Sequence, residues 1–259
     1  MVFRKISLWT LGVWALLSGT LILVLWPSAS DPLAARSFQI LLFEIGILFW
    51  ILWQCSRCHI SLRRLVGSVP QDPKSWLILA VAVPLIIASI GLAWLRYWLT
   101  IRFGTGVLTG WVIGRSQQLV LAESALGLVR IIILAPLVEE ILFRGLFLHR
   151  WAEKWDVRTA VVTTSLVFAL MHGDKMTTFV LGITLSILYL QTDSLILSMA
   201  CHSLYNLSTF LHMPIADWAG LLCLLFGLYA MMLFFWRHWP TKSLMLPYYS
   251  RLRNVVIQE

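Results

Sequence analysis

The sequence predicts an all-α protein, a polytopic membrane helical bundle of about eight transmembrane helices that forms a single membrane domain over residues 1–259. Hydrophobic residues make up 59% of the 259 residues and charged residues only 12%, with a mean hydropathy of +0.84. Soluble domains carry about 25% charged residues. Apolar runs of about the 20 residues that span a bilayer recur along the whole chain and leave no room for a sizeable soluble domain.

Eight apolar runs predict the membrane segments, at 8–26, 38–54, 76–95, 125–149, 158–172, 176–191, 194–211 and 215–236. The first run resembles a signal peptide, but it is longer than a signal-peptide core and has no small-x-small cleavage site before Pro27. We therefore expect a retained first helix. The stretch 96–124 carries three arginines and four glycines, and it fits an interfacial helix, a re-entrant segment or an amphipathic support.

The net charge of +8 does not indicate nucleic acid, because Lys and Arg cluster between the apolar runs and at the C-terminus, where they set topology. With the N-terminus inside, 13 Lys and Arg residues fall in cytoplasmic stretches and 5 in external ones. The arginines at 96–115 are the main exception. We expect an integral protein of the bacterial inner membrane with both termini in the cytoplasm.

The four cysteines have separate interpretations. Cys201 and Cys223 lie in apolar runs and are expected to be small core side chains. The string "CSRCH" at 55–59 matches the haem-attachment pattern C-x-x-C-H, and it could also hold a metal. Both roles are disfavoured, since the positive-inside rule places this stretch in the cytoplasm and c-type haem is attached outside.

Ionisable groups at bilayer depth are costly and often mark function. In this chain they are concentrated in the second half, at Glu139, Glu140, Arg144, His172, His202 and, with its amide, Asn206. Each alone is commonly structural, but their number favours a site. In the first 120 residues only Glu44 is comparably deep. The remaining histidines, expected at interfaces, are His59, His149, His212 and His238.

Helical spacing sorts these groups. Glu140 and Arg144 stand at i, i+4, so the guanidinium can neutralise that carboxylate. Glu139 lies about 100° round the helix, without an obvious local cation, in the setting that suits a general base near neutral pH. His202 and Asn206 again share one face. At about 1.5 Å of rise per residue, Glu139 and His202 lie near mid-membrane, whereas His172 lies about 20 Å in, toward the other side.

Three motifs carry a family resemblance. "EEILFR" (139–144) is E-E-x-x-x-R, "FALMH" (168–172) is F-x-x-x-H and "HSLYN" (202–206) is H-x-x-x-N. In this order, within 68 residues, they resemble the CAAX-processing and bacteriocin-processing protease family (CPBP, also called Abi). The resemblance covers about 125–211, taken as the catalytic core; 1–124 holds N-terminal helices of unassigned role, and 212–259 the last helix and a basic cytoplasmic tail.

The resemblance implies an intramembrane endopeptidase whose site is open to cytosol and lipid. Glu139 and His172 would activate a water that attacks the scissile carbonyl, and His202 and Asn206 would donate hydrogen bonds to the oxyanion. Glu140 and Arg144 would be supporting residues that fix the position of Glu139.

No cofactor is favoured, although zinc is an alternative. H-E-x-x-H is absent. Glu139, His172 and His202 nevertheless make a His₂Glu set that could hold Zn²⁺. Family members have been described both as metalloproteases and as metal-independent glutamic proteases. We favour the latter, because zinc-bound histidines need carboxylates behind them and only Asp174 is an evident candidate.

The expected partners are the lipid bilayer and a membrane-anchored or lipidated peptide or protein substrate. A non-proteolytic immunity or scaffold protein is the alternative from another class, and the intact motifs argue against it. A proton-coupled transporter would be expected to show inverted repeats or broken helices, which the sequence does not show.

Overall fold

The computed structural model describes residues 1–25, 32–103, 125–210 and 216–258, and within these ranges the regular secondary structure is all helical. The predicted all-α fold is therefore confirmed. After a short 3₁₀ turn at Phe3–Lys5, the helices are α1 (Leu8–Leu25), α2 (Pro32–Arg57), α3 (Leu62–Val66), α4 (Pro73–Phe103), α5 (125–154), α6 (Val157–Leu170), α7 (Lys175–Thr192), α8 (Leu195–Thr209), α9 (Asp217–His238) and α10 (Pro247–Gln258).

Three of the described helices are long and apolar enough to cross a membrane: Gln39–Arg57 in α2, and the whole of α4 and α9. The apolar helix α6 is shorter, at Val157–Leu170. Each of the eight predicted segments overlaps a helix. An integral membrane protein is thus supported, while the number of eight crossings stays a prediction.

Helix α4 continues at least to Phe103, eight residues beyond its predicted end at 95, and residues 96–103 include no glycine or proline. The first part of the uncertain stretch 96–124 is therefore a continuation of a membrane helix. The rest of it, from 104 to 124, and His212 lie outside the described residues.

Helices α4 and α9 are the closest-packed pair, and small residues permit their approach. A Cβ placed on Gly91 would stand 2.3 Å from Cα of Leu224, and one on Gly227 would stand 2.5 Å from Cα of Ala88. Small residues at such contacts let backbones come together where lipid removes the hydrophobic driving force between helices. The pair joins the N-terminal helices to the last predicted crossing.

Both chain termini lie at one end of the bundle, here called the terminal face. The backbone N–H of Val2 donates to Oη of Tyr249 at 3.2 Å. The α2–α4 connection and the α7–α8 turn reach the same end, where Ser194 Oγ donates to the carbonyl of Ser68 at 3.0 Å. The opposite end, the distal face, holds the α6–α7 turn at 171–174 and the start of α9.

Helix α5 carries Glu139, Glu140 and Arg144 and contains two π-helical stretches, Arg130–Leu134 and Ile141–Phe147. Such stretches occur often at functional sites. The helix continues to Lys154, five residues past its predicted end at 149. The next helix then begins at Val157, and the carboxylate of the preceding Asp156 caps the N–H groups of Arg158 and Thr159 at 2.9 and 3.1 Å.

The longer α5 explains why the interfacial assignment of His149 was wrong. His149 is fully buried, and its ring stacks on Phe3 with centroids 4.6 Å apart. Nε2 accepts the backbone N–H of Tyr248 at 3.4 Å, so Nδ1 carries the hydrogen and donates to the carbonyl of Arg144 at 3.2 Å. His149 therefore links the C-terminal helix to the segment that carries the charged motif.

The cysteines are free thiols. Cys201 is fully buried and Cys223 half-buried. Cys55 and Cys58 are 3% and 4% exposed inside the core, a position that does not fit covalent attachment of haem.

Candidate active site

Glu140 and Arg144 form a fully buried ion pair. Their side chains are 0% and 1% exposed, and Nη1 of Arg144 donates to Oε1 of Glu140 at 2.8 Å. Nη2 of Arg144 donates to the backbone carbonyl of Gly182 on α7 at 3.0 Å. The guanidinium also lies 4.6 Å from the ring centre of Phe168 on α6. One arginine thus joins three helices, which an isolated i, i+4 pair would not do.

Glu140 has a second partner that the sequence did not reveal. Its Oε1 also accepts a hydrogen bond from Nδ1 of His202 on α8 at 2.9 Å. Because Oε1 of Glu140 is an acceptor toward Arg144 as well, Nδ1 of His202 is the donor in this contact. Nε2 of His202 is then directed to the other side of the ring, toward Glu139.

His172 is oriented in a similar way by the end of α6. It lies in the turn after that helix, and Nδ1 donates to the carbonyl of Phe168 at 2.7 Å. The two rings are 4.4 Å apart. Phe168 also packs edge-on against Phe143 and His202, with centroids 5.0 and 5.8 Å away. Phe168, the phenylalanine of F-x-x-x-H, therefore packs against the rings of both histidines.

Glu139 lies where the two histidines converge. Its Oε2 is 3.7 Å from Nε2 of His172 and 3.8 Å from Nε2 of His202. Both separations exceed a hydrogen bond, and within the part of the chain described Oε2 is buried with no hydrogen-bond partner. The side chains of Glu139 and His172 are 27% and 32% exposed, against 3% for His202. Glu139 and His172 are thus partly exposed members of the cluster, whereas His202 is buried.

Reversal of the chain at 155–156 brings Glu139 and His172 to one level. Glu139 lies 15 residues before the end of α5 and His172 15 residues after the start of α6, so both stand roughly 20 Å from that turn. The sequence placed His172 too far toward the other side because it ended α5 at 149.

Asn206 stands one turn beyond His202 on α8. Its Nδ2 donates to the carbonyl of Ile131 at 2.8 Å, within the first π-helical stretch of α5. The amide therefore holds α8 against α5. The expected donation to an oxyanion stays a prediction, for which the amide has a second N–H.

Asp174 joins the His172 turn to α4. Nη1 of Arg96 donates to Oδ1 of Asp174 at 2.5 Å and to Oγ1 of Thr177 at 3.1 Å. Oδ1 of Asp174 also accepts the N–H of Thr177 at 3.3 Å, which caps α7. A carboxylate does stand behind one of the histidines, because Glu140 accepts the hydrogen bond of His202 Nδ1, whereas the sequence offered Asp174 as the one evident candidate.

A second ion pair connects α2 to the start of α5. Nη1 of Arg130 lies 2.7 Å from Oε1 of Glu44, and the two side chains are 11% and 10% exposed. The sequence left both charges without a partner. Two opposite charges in neighbouring apolar helices are the signal that could have paired them.

The side chains of Glu139, His172 and His202 are of the types that bind catalytic zinc, but they are not arranged as a metal site. Glu139, His172 and His202 are typical ligands, and each Nδ1 is held by an acceptor as in metal-bound histidines. Among the described residues, however, no three His, Cys, Asp or Glu side chains form a group that could hold a metal ion.

The bundle has long apolar helices and, between them, a cluster of two carboxylates, a guanidinium and two imidazoles. These features define an integral membrane protein with an internal polar site. Residues 121–208 match the model of a family described as type II CAAX prenyl endopeptidase Rce1-like. The chain thus contains an Rce1-like domain of the CAAX protease family, which confirms the resemblance found in the three motifs. The match covers about a third of the chain and all three motifs. No curated protein and no solved structure matched the sequence.

Proposed function

We propose that this protein is an intramembrane endopeptidase of the glutamic type, in which Glu139 activates the attacking water. The observation that carries the proposal is the convergence of Nε2 of His172 and Nε2 of His202 on Oε2 of Glu139, at 3.7 and 3.8 Å. Polar atoms at such separations are commonly bridged by water. The match to a CAAX endopeptidase family supports the reaction class.

The hydrogen bonds made by the Nδ1 atoms of His172 and His202 indicate which ring nitrogens carry hydrogen. Since Nδ1 of His172 donates to the carbonyl of Phe168, the neutral ring offers a lone pair on Nε2. A water can then donate one hydrogen to Oε2 of Glu139 and the other to Nε2 of His172. Its own lone pair is left to attack a carbonyl carbon, while Glu139 takes the proton as general base.

The tetrahedral intermediate carries its negative charge on oxygen. His202 can donate to that oxygen only with a proton on Nε2, because Nδ1 already donates to Glu140. The second N–H of Asn206 is the other donor. Collapse of the intermediate breaks the C–N bond as Glu139 returns its proton to the leaving amine.

The substrate that fits this site is a peptide bond in a membrane-associated or lipidated peptide or protein. The family description names a prenylated substrate. For this chain we propose only the broader substrate class given above. A site inside an apolar bundle selects segments that already lie in or beside the bilayer.

The test is cleavage of candidate substrates in membrane vesicles. The wild type should release product, while Glu139→Ala and His172→Ala should not, at equal amounts of folded protein. Unimpaired cleavage by either variant would rule out the mechanism. Cellular function that survives Glu139→Gln would instead favour the scaffold or immunity alternative.

A zinc-dependent peptidase that uses the same residues is the second candidate. The observation that favours it is the anchoring of both Nδ1 atoms, by Glu140 and by the carbonyl of Phe168. The two mechanisms differ in their response to a chelator.

A further inference from the structure

A groove lies between α4 and α9 at the terminal face. Its volume is about 440 Å³, and it is lined by six apolar residues: Leu77, Ile78, Ala80, Val81, Pro84 and Phe234. Arg237 and His238, at the end of α9, are the polar residues that border it. Because it shares no described residue with the candidate active site, the groove is a separate feature of the bundle.

The packing of the two helices explains why the groove is there. Helices α4 and α9 run antiparallel, and Gly227 of α9 meets Ala88 of α4 in close contact. Two helices that cross at an angle move apart toward their ends. Residues 77–84 and 234–238 lie about one to three turns beyond this contact, so a space remains between them.

The groove lies within the depth of one bilayer leaflet. Gly227 is at the middle of α9, a 22-residue helix that is long and apolar enough to cross a membrane. Arg237 is about 15 Å further along the helix axis, at about 1.5 Å per residue. The hydrocarbon core of a bilayer is about 30 Å thick, so this distance equals the depth of one leaflet. The acyl chain of a lipid in that leaflet therefore runs alongside the apolar lining.

Exposed tryptophans mark the headgroup level at the polar end of the groove. Trp76 precedes Leu77 and is 41% exposed, and Trp236 precedes Arg237 and is 84% exposed. Tryptophan is enriched where a membrane meets water. The guanidinium of Arg237 is thus placed at the level of lipid headgroups, while the apolar lining is at the level of the acyl chains.

Arg237 carries a charge that the described part of the chain does not neutralise. Within those residues, the guanidinium makes no ion pair and no hydrogen bond. Lys74, three residues before Leu77, is exposed and adds a second positive charge. The nearby carboxylate of Asp72 accepts the backbone N–H of Lys74 at 3.1 Å, where it caps the start of α4. A planar guanidinium suits a phosphate group, to which it can donate two parallel hydrogen bonds.

We propose that this groove binds one anionic phospholipid, with an acyl chain against the apolar lining and the phosphate at Arg237. Phosphatidylglycerol has both features, an apolar chain and a headgroup with net negative charge. The bound lipid would join the ends of α4 and α9 where their own side chains leave a gap. The proposal is independent of the peptidase function, because it rests on the shape and charge of this helix pair.

Lipid retention by the full-length protein tests the site. The protein is reconstituted in vesicles with equal amounts of phosphatidylglycerol and phosphatidylcholine that have identical acyl chains, extracted in mild detergent and weighed by native mass spectrometry. Arg237→Gln removes the charge, Arg237→Lys keeps it, and Ala80→Phe fills the apolar part of the groove. Arg63→Gln is the matched control, because Arg63 is also an exposed arginine at the terminal face.

The wild type and R63Q should retain one phosphatidylglycerol per chain in preference to phosphatidylcholine. In R237Q this preference should fall about 10-fold or more, the loss expected for a hydrogen bond to a charged group, and R237K should keep most of it. A80F should retain neither lipid. Equal retention of the two lipids by the wild type would overturn the role of the headgroup, and phosphatidylglycerol bound to A80F would overturn the location. A loss in R63Q as large as in R237Q would contradict a specific site.

Thermal unfolding in detergent separates a lipid from a free anion. Short-chain phosphatidylglycerol should raise the unfolding temperature of the wild type and not that of R237Q. Inorganic phosphate and glycerol 3-phosphate at the same concentration should leave the wild type unchanged. Stabilisation by inorganic phosphate equal to that by the lipid would overturn the proposal in favour of a simple anion site. Unfolding temperatures without added lipid show whether each variant is folded.

Discussion

Glu140 and His202 are hydrogen bonded through Oε1 and Nδ1 at 2.9 Å, although 62 residues separate them in the chain. The same Oε1 accepts Nη1 of Arg144 at 2.8 Å. One buried oxygen therefore connects the charged pair of α5 to a histidine of α8, and Glu140 has two tasks rather than one.

The first prediction concerns Glu139. Glu139→Gln removes the general base and should lower kcat by about 10²–10⁴-fold. Its thermal stability in detergent should equal or exceed that of the wild type, because Oε2 has no hydrogen-bond partner within the described structure. A large loss of stability would show that Glu139 is structural.

The second prediction concerns the adjacent carboxylate under the same substitution. Glu140→Gln leaves the buried guanidinium of Arg144 without its counterion, and breaking one side of a buried pair costs about 3–5 kcal/mol. We expect loss of both stability and activity, measured by thermal unfolding and by substrate cleavage. A Glu140→Gln protein as stable as Glu139→Gln would contradict the assignment of the two tasks.

The third prediction separates stability from orientation. The double variant Glu140→Met/Arg144→Met replaces both charged side chains by apolar ones. Replacing both members of a buried ion pair in this way is often neutral for stability. The double variant should unfold at a higher temperature than Glu140→Gln. Its activity should stay low, since Nδ1 of His202 has lost its acceptor. Recovery of activity along with stability would mean that His202 does not need Glu140.

The fourth prediction concerns Arg96 as a positioning residue. Arg96 holds Asp174 and Thr177 at the end of the His172 turn, and a misplaced catalytic group can cost roughly 10–100-fold in rate. Arg96→Ala should lower kcat by that amount with little change in KM, and Arg96→Lys should recover part of it. Arg102, exposed six residues along the same helix, is the matched control. An equal effect of Arg102→Ala would point to a general electrostatic change.

The fifth prediction concerns metal dependence. A glutamic-type peptidase should keep its activity after exhaustive dialysis against a chelator, and elemental analysis of purified active protein should show far less than one zinc per chain. Loss of activity that returns on addition of Zn²⁺ would favour the metal-dependent alternative.

Sequence periodicity was sufficient for the helices and for contacts within a helix. Each of the eight apolar segments predicted from hydropathy overlaps a helix, and the i, i+4 spacing predicted the ion pair of Glu140 and Arg144. These predictions succeed because 3.6 residues per turn fixes which side chains of one helix are neighbours. Helix ends were less well placed, since α4 and α5 continue past the polar residues that were taken to end them.

The sequence by itself determined that this chain is a membrane protein, that it is helical, and which polar residues are too costly to be buried without a purpose. Only the tertiary structure decided their partners: Glu140 with His202, Asp174 with Arg96, and Glu44 with Arg130. The physical reason is that a buried charge must find a counterion or a hydrogen bond. Hydropathy does not identify which neighbouring helix supplies that partner, because all the apolar helices have similar hydropathy. Which helices lie side by side depends on packing, and that decides which of the available partners each charge meets.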